Sequence, residues 1–90
     1  MNLTQTHTIY FIGIGGIGMS ALARYFHSQN KTVLGYDKVE TDLTTKLVAE
    51  NISVHYTDDL DNIPSDLSPK NTLVIYTPAV PSTHKELNYF

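Results

Sequence analysis

The chain has 90 residues, of which 41% are hydrophobic, and it contains no cysteine. This length suits one small α/β domain, and the lack of cysteine excludes disulfides and thiolate metal sites. A formal net charge of -3 with scattered basic residues argues against a nucleic-acid partner, because binding a duplex requires several Lys or Arg side chains to neutralise phosphates.

The amino-terminal segment carries no targeting signal. Met1–His7 is polar and lacks the basic start and long apolar stretch of a secretory signal. No apolar run approaches the roughly 18 residues that a membrane span requires. We therefore expect a cytoplasmic protein without a membrane partner.

The first two predicted elements are a strand and a helix. Thr8–Ile12 is β-branched and aromatic and ends at a glycine, which is typical of a strand buried on both faces. Ile17–Gln29 is predicted to be a helix that stops at Asn30. Residues at helical spacing are expected to form its apolar face: Gly18, Leu22, Tyr25 and Phe26.

A second strand and helix follow. Thr32–Tyr36 predicts the strand, and Thr41–Glu50 predicts the helix, with Asn51 suited to a left-handed cap. The apolar face of this helix is expected to consist of Leu43, Leu47 and Val48.

The third strand is predicted at Ser53–Tyr56 and is weaker. The acidic stretch Asp58–Asp66 is expected to hold at most one short helical turn before Pro64. Its aspartates lack the alternating ligands and turn glycine of a calcium loop, so a solvated loop is the better interpretation.

Leu73–Tyr76 predicts a fourth buried strand, and Pro81 or Ser82 is expected to open a last helix over about Thr83–Phe90. Strands that alternate with helices imply a parallel sheet with right-handed crossovers. The predicted fold class is a Rossmann-like α/β domain of three layers, with strand order 3-2-1-4. Because no strand follows the last helix, we expect residues 1–90 to be the amino-terminal piece of a longer protein.

A glycine-rich turn lies between the first strand and the first helix. In G-x-G-x-x-G, Gly13 permits a tight turn, Gly15 lets the backbone approach a diphosphate, and Gly18 lets the helix lie close to the sheet. Unpaired N–H groups of Gly16, Ile17 and Gly18 are expected to face the phosphates. The alternative is a tight glycine turn without a ligand.

The end of the second strand supplies candidates for the nucleoside. Asp37 lies 19 residues beyond Gly18, where an acidic side chain accepts hydrogen bonds from a ribose. A helix-capping or solvated aspartate is the alternative. Tyr36 is also placed near the ligand. These residues predict a nucleotide diphosphate across the ends of strands one, two and four, and do not identify the nucleotide.

The run Gly13–Ala21 resembles the opening of the UDP-N-acetylmuramate:L-alanine ligases of the Mur ligase family, in which an apolar strand runs into G-I-G-G-x-G-M-[SG]. NAD-binding domains seldom place Gly-Met-Ser at this point. Three further stretches are similar to that family in order and spacing: Gly35-Tyr36-Asp37, Thr44-x-x-Leu47 and Thr77-Pro78-Ala79-Val80-Pro81.

The resemblance implies a three-domain enzyme that joins L-alanine to UDP-N-acetylmuramate in peptidoglycan biosynthesis, with ATP and Mg²⁺ used by the full-length protein. Its partners would be that substrate and the ATPase and C-terminal domains of the same chain. No P-loop pattern G-x-x-x-x-G-K-[ST] occurs in these residues, so they should hold no cofactor and be inactive alone.

The resemblance also implies a set of substrate-binding residues. The amides of Gly15–Met19 should meet the diphosphate, Asp37 should lie beside the ribose, and Thr77–Ala79 should border the same crevice. The full expected set is Gly13, Ile14, Gly15, Gly16, Ile17, Gly18, Met19, Ser20, Tyr36, Asp37, Thr77, Pro78 and Ala79. Just after the third strand, this sequence has Thr57-Asp58 where many family members have Gly-His, which puts the contacts to uracil in doubt. His55 is not assumed to replace the missing histidine.

Two other functions remain open from the residues alone. The generic glycine pattern with Asp37 also fits an NAD-binding domain of a dehydrogenase or redox-sensing regulator, and a third reading is an interaction module that has lost its ligand. No catalytic residue is expected: Ser20 lacks the elbow of a nucleophile and is assigned to packing or phosphate contact. No metal site is expected, because the histidines lack ligand spacing: His7, His27, His55 and His84.

Overall fold

The structure is a computed structural model that describes residues 7–90. Residues 1–6, which belong to the segment searched for a secretory signal, lie outside this range. The elements in chain order are β1 (Thr8–Ile12), α1 (Ile17–Ser28), β2 (Thr32–Tyr36), α2 (Asp42–Ala49), β3 (Ser53–His55), a 3-10 turn (Leu60–Asn62), β4 (Thr72–Tyr76) and α3 (Lys85–Tyr89). None of the helices between residues 7 and 90 has the length and apolarity needed to cross a bilayer.

The four strands form one parallel sheet in the order β3-β2-β1-β4. On one side β1 pairs with β2, where Thr8 lies opposite Thr32, and on the other side with β4, where Thr8 lies opposite Thr72. This confirms the predicted Rossmann-like fold class and strand order. Because all strands run the same way, their carboxyl ends meet at one edge of the sheet, beside the start of α1.

The central strand buries both of its faces. Ile9 and Phe11 pack with Ala23 of α1 and Leu47 of α2 on one side of the sheet. Tyr10, the next residue along, belongs to the cluster on the other side, together with Ile12, Leu34, Ile63 and Leu67. The alternation along β1 therefore makes two separate cores and a three-layer domain.

Most predicted element boundaries are confirmed within one or two residues. Asn30 and Asn51 both take left-handed backbone angles, with φ of 63° and 71°. At the start of α2 the side chains of Thr41 and Thr44 cap each other's backbone amides. The last helix is the exception: it begins at Lys85, three or four residues after the predicted opening at Pro81 or Ser82, because the preceding residues form a turn.

The predicted apolar face of α1 is confirmed at Phe26, which packs partly buried against the core, and is wrong at its other positions. The buried residues are Ser20 and Ala23, whereas Leu22 and Tyr25 are 37% and 56% exposed. The two small side chains let the helix approach the sheet closely. Gly18 does not serve that approach, since a Cβ built there meets nothing within 4 Å.

The predicted face of α2 is wrong at one position. Leu47 is fully buried, but Val48 remains half exposed. The helix is only eight residues long and is covered on one side, so a single buried stripe suffices.

Two glycines offer a matched test of packing. A Cβ at Gly35 would lie 2.6 Å from the carbonyl oxygen of Phe11 on the neighbouring strand, whereas one at Gly18 would meet open space. We expect Gly35→Ala to lower the free energy of unfolding by about 1–3 kcal/mol. Gly18→Ala should raise it by roughly 0.5–1 kcal/mol, because alanine favours the helix. Urea unfolding measures both, and equal effects would contradict the packing assignment.

Candidate nucleotide-binding site

A crevice of about 560 Å³ lies at the carboxyl edge of the sheet. It is formed by the turn after β1, the end of β2, the segment after β3 and the loop between β4 and α3. The lining residues are Gly13, Gly16, Tyr36, Asp37, Lys38, Asp58, Thr77, Ala79, Val80, Pro81, Thr83 and His84. This position lies at the carboxyl ends of the parallel strands, where the strand order reverses between β1 and β4, and such folds bind ligands there.

The glycine turn is held by hydrogen bonds to the neighbouring strand. The amides of Gly13 and Ile14 both donate to the carbonyl oxygen of Tyr36, at 2.8 and 3.0 Å. Gly13 has φ of 95°, a left-handed conformation that glycine adopts without strain. The amide of Gly16 donates to the carbonyl oxygen of Gly13 at 3.3 Å, so the prediction that this amide is unpaired is wrong.

The amino terminus of α1 is the part of this turn that stays uncapped. Gly16 precedes the helix, and no side chain caps it. Ile17 is 86% exposed, and Gly18 is exposed as well. The first-turn amides at Ile17, Gly18 and Met19 are the donors that a helix leaves without intrahelical partners, and their positive dipole end faces an anion favourably.

Asp37 is engaged by the protein itself. Its Oδ2 accepts the amide of Gly15 at 2.7 Å, and its Oδ1 accepts the amide of Val39 at 3.1 Å. Both amides belong to turn residues outside the helices, so Asp37 holds these turns and does not cap a helix. Each carboxylate oxygen has a second lone pair, and Asp37 lines the crevice, so the ribose contact stays a prediction.

Gly15 is required by the same contact. A Cβ at this residue would lie 2.7 Å from Oδ2 of Asp37 and 2.9 Å from Cγ2 of Thr44. The space beside Gly15 is thus taken by the protein's own side chains, and its amide is already bound. On the side of Gly15 that faces Asp37 and Thr44, there is therefore no room for the predicted close approach of a diphosphate.

Several other predicted site residues do not line the crevice. Ile14 is fully buried in the core, and Ser20 is buried with its hydroxyl donating to the carbonyl oxygen of Ile17 at 3.0 Å. Packing is therefore the role that the structure gives Ser20, and Met19 is half-buried against the same core. Thr77 and Ala79 line the crevice, whereas Pro78 between them does not.

Asp58, which the sequence analysis did not place in the site, fixes one wall of the crevice. Its carboxylate accepts the amides of Lys85 and Glu86 at 2.8 and 3.0 Å, which anchors the start of α3. Partial burial by itself would raise the pKa of Asp58. The hydrogen bonds from Lys85 and Glu86, together with nearby positive charge on His84 and Lys85, outweigh it and lower the pKa below its usual range.

A buried polar cluster holds α3 against the sheet. Glu86 is fully buried, and its carboxylate accepts Tyr10 Oη at 2.5 Å, lies 2.7 Å from His55 Nε2 and accepts the amide of Asp59 at 3.0 Å. Burial, then the hydrogen bond to Glu86, raises the pKa of Tyr10 far above its usual range, so its hydroxyl remains a donor. His55 belongs to this cluster and not to the crevice lining.

Tyr36 and His84 form one side of the crevice. Their rings meet edge to face, with centroids 4.6 Å apart. Burial, followed by the charges of Asp58 and Glu86, raises the pKa of Tyr36, so its hydroxyl stays protonated. His84 joins the site only because the loop after β4 folds over the ends of β2 and β3, which no local sequence pattern indicates.

No group of three or more His, Cys, Asp or Glu side chains that could hold a metal ion is found within residues 7–90. The crevice offers backbone amides, one lysine and uncharged or acidic side chains. Its chemistry is that of binding and orienting a polar ligand.

Comparisons with known proteins point in one direction. The family model described as Mur ligase family, catalytic domain, matches residues 8–90. The UDP-N-acetylmuramate--L-alanine ligase of Flavobacterium psychrophilum is 59% identical over 90 residues, and that of Cytophaga hutchinsonii is 57% identical over 91. Each alignment covers 100% of this chain and 20% of the relative. The chain therefore spans about a fifth of the length of these curated relatives.

A solved structure gives the same result for the fold. The crystal structure of UDP-N-acetylmuramate-alanine ligase MurC from Thermotoga maritima superposes with a TM-score of 0.79 at 38% identity. The match covers 90% of this chain and 18% of that chain.

Replacing Asp37 tests its role as a clamp on the glycine turn. Asp37→Ala removes the acceptor for two backbone amides, and we expect the free energy of unfolding to fall by about 1–3 kcal/mol. Hydrogen exchange at the Gly15 amide should accelerate. The control is Lys38→Ala, which removes the exposed neighbouring side chain. Unchanged exchange at Gly15 in Asp37→Ala would contradict the clamp.

The lowered pKa of Asp58 predicts a dependence of stability on pH. Since folding favours the ionised carboxylate, its contribution is complete above about pH 4 and is lost as the pH falls through the lowered native pKa. Asp58→Asn should therefore lose less stability than the wild type between about pH 5 and about pH 2 in urea unfolding. Asp66→Asn, at an exposed aspartate, is the control and should follow the wild type. Parallel curves for Asp58→Asn and wild type would refute the assignment.

Proposed function

This chain belongs to the Mur ligase family, and we propose that its residues 1–90 form the domain that binds UDP-N-acetylmuramate in an ATP-dependent ligase that adds L-alanine to it. The observation that carries the proposal is the 59% identity to a UDP-N-acetylmuramate--L-alanine ligase along the whole chain. Such an enzyme acts in peptidoglycan biosynthesis, and we place it in the cytoplasm, where nucleotide-linked precursors are made.

The geometry of the crevice supports a diphosphate at the start of α1. The exposed first-turn amides and the helix dipole favour an anion there by roughly 0.3–1 kcal/mol. Gly16 lines the crevice without a side chain, so a ligand can approach its backbone closely. Lys38, also in the lining, adds a positive charge for the phosphates.

The walls of the crevice would then hold the rest of the nucleotide sugar. Asp37 and Tyr36 end the strand next to the glycine turn and border the same space. Thr77 and Ala79 border it from the β4 side, and the sugar would extend outwards past them. The described residues 7–90 would bind and orient the substrate.

ATP and Mg²⁺ are assigned to the remainder of the full-length ligase. The residues here do not fit either group, because the sequence has no P-loop lysine and residues 7–90 contain no metal-binding cluster. ATP would supply the activating phosphoryl group, and the other domains would complete the site. Residues 1–90 alone should therefore bind substrate and be inactive.

The NAD-binding alternative is less well supported. Membership of the Mur ligase family favours the ligase, and the curated relatives reported above carry ligase names.

Titration of ¹⁵N-labelled protein tests the proposal. UDP-N-acetylmuramate should shift the amide signals of Ile17, Gly18 and Met19, while NAD at the same concentration should leave them in place. The amide of Ile52, buried beneath the sheet, serves as an internal reference. Larger shifts with NAD than with the UDP sugar would overturn the proposal.

A variant of the glycine turn sharpens the same test. Gly16 has φ of -66°, and a Cβ there would make only ordinary contacts, 3.7 Å from the nearest atoms, so Gly16→Ala should fold normally. Its methyl group would enter the crevice, and we expect affinity for the UDP sugar to fall about tenfold, or about 1.4 kcal/mol. Gln29→Ala is the control, since this exposed residue follows the far end of α1 and does not line the crevice.

A further inference from the structure

The loop between β4 and α3, residues 77–84, forms one wall of the crevice. Six of its residues belong to the lining: Thr77, Ala79, Val80, Pro81, Thr83 and His84. Within the loop, the amide of Val80 donates to the carbonyl oxygen of Thr77 at 3.1 Å. The amide of His84 donates to the carbonyl oxygen of Pro81 at 3.0 Å. Bonds of this kind fold the loop locally and do not fix it to the sheet, so its place over the crevice depends on how its two ends are anchored.

A buried carboxylate anchors the α3 end of this loop. Glu86 has no exposed surface, and its two oxygens reach three separate parts of the fold. Oε1 accepts the hydroxyl of Tyr10 on β1 at 2.5 Å and lies 2.7 Å from Nε2 of His55 on β3. Oε2 accepts the amide of Asp59, after β3, at 3.0 Å. Through this side chain, α3 is fixed to the central strand, to the edge strand β3 and to the segment beyond it.

The anchor is close to the crevice along the chain but does not open into it. Glu86 follows two lining residues, Thr83 and His84, almost directly, so a shift of α3 moves both of them. The amide of Glu86 also donates to Oδ1 of Asp58 at 3.0 Å, and Asp58 lines the crevice as well. The side chain of Glu86 is not part of the lining, so its effect on a ligand is indirect.

The buried hydrogen bonds favour one position of α3 over neighbouring ones. Any slide of the helix that breaks them leaves a buried polar group without a partner, which costs far more than breaking an exposed hydrogen bond. The ring of Phe90, at the end of the same helix, packs against Tyr10 with ring centroids 4.9 Å apart. The wall of the crevice is therefore in place when α3 is docked and displaced when α3 is released.

We propose that Glu86 is a positioning residue for a substrate that it does not touch: by docking α3, its carboxylate sets the affinity of the crevice for the nucleoside and sugar parts of the ligand. The inference rests on the proposed function, which supplies the nucleotide sugar. Binding and docking are then linked, so a ligand that uses the wall stabilises docked α3 as much as docking strengthens its binding. Inorganic pyrophosphate, which would occupy only the start of α1, does not use the wall.

Hydrogen exchange of the Asn88 amide in the wild type tests the link. This amide donates to the carbonyl oxygen of His84 at 3.1 Å, so it exchanges when α3 leaves its place. Saturating UDP-N-acetylmuramate should slow the exchange about tenfold, a usual size for coupling between sites, and saturating pyrophosphate should change it by less than about twofold. Exchange that ignores the UDP sugar, or that both ligands slow equally, would overturn the inference.

Two variants test the side chain itself, with amide-shift titrations to measure the affinities. Glu86→Ala should lower affinity for the UDP sugar about tenfold and leave affinity for pyrophosphate within about twofold. Tyr10→Phe keeps the buried ring and removes one donor to Glu86, so it should fold and lose about threefold for the UDP sugar alone. The control is Glu50→Ala, which removes an exposed carboxylate paired with Arg24 and should change neither affinity.

The comparison of the two ligands separates positioning from a general loss of structure. If Glu86→Ala does not fold, Tyr10→Phe decides. Unchanged binding of the UDP sugar by a folded variant, or equal losses for the UDP sugar and pyrophosphate, would overturn the inference and leave the proposed function standing. A wild type that does not bind the UDP sugar would overturn both.

Discussion

The hydrogen bond from the Gly15 amide to Asp37 is the contact on which the site depends. It joins the turn after β1 to the end of β2, at 2.7 Å, and the second oxygen of Asp37 holds the following turn through Val39. Because the turn cannot rotate without breaking this bond, the start of α1 is fixed relative to the sheet. The uncapped amides of that helix are thereby held in place, which would preorganise them for the proposed diphosphate.

The opposite wall of the crevice is built from buried polar contacts. Glu86 is a fully buried carboxylate, and such a group is tolerated only when hydrogen bonds replace its lost hydration. Tyr10, His55 and the Asp59 amide supply them, while Asp58 caps the start of α3 from outside. A helix of only five residues is too short to be stable by itself, so these contacts hold it and the loop before it in place.

The packing gives each glycine of the motif a different structural role. Gly13 supplies a left-handed backbone angle, Gly15 leaves space for Asp37 and Thr44, and Gly16 keeps the crevice wall free of a side chain. The generic explanation of the G-x-G-x-x-G pattern assigns the second glycine to the ligand and the last to helix packing. In this fold the second serves the protein's own side chains, and the last faces open space.

The sequence by itself determined the fold class, the strand order and the position of the glycine turn. These follow from local patterns: apolar runs bounded by glycine, helical spacing, and asparagines at helix ends, each of which acts within a few residues. The family was indicated separately, by the resemblance of the run Gly13–Ala21 to the Mur ligases. Tertiary structure alone decided which face of α1 is buried. The sequence analysis chose the larger Leu22 and Tyr25, but the small Ser20 and Ala23 are the residues that pack against the sheet. Tertiary structure also decided that Asp58 and His84 border the crevice. These two residues are 26 positions apart, and they come into contact only because the chain crosses the sheet between them, which no local pattern encodes.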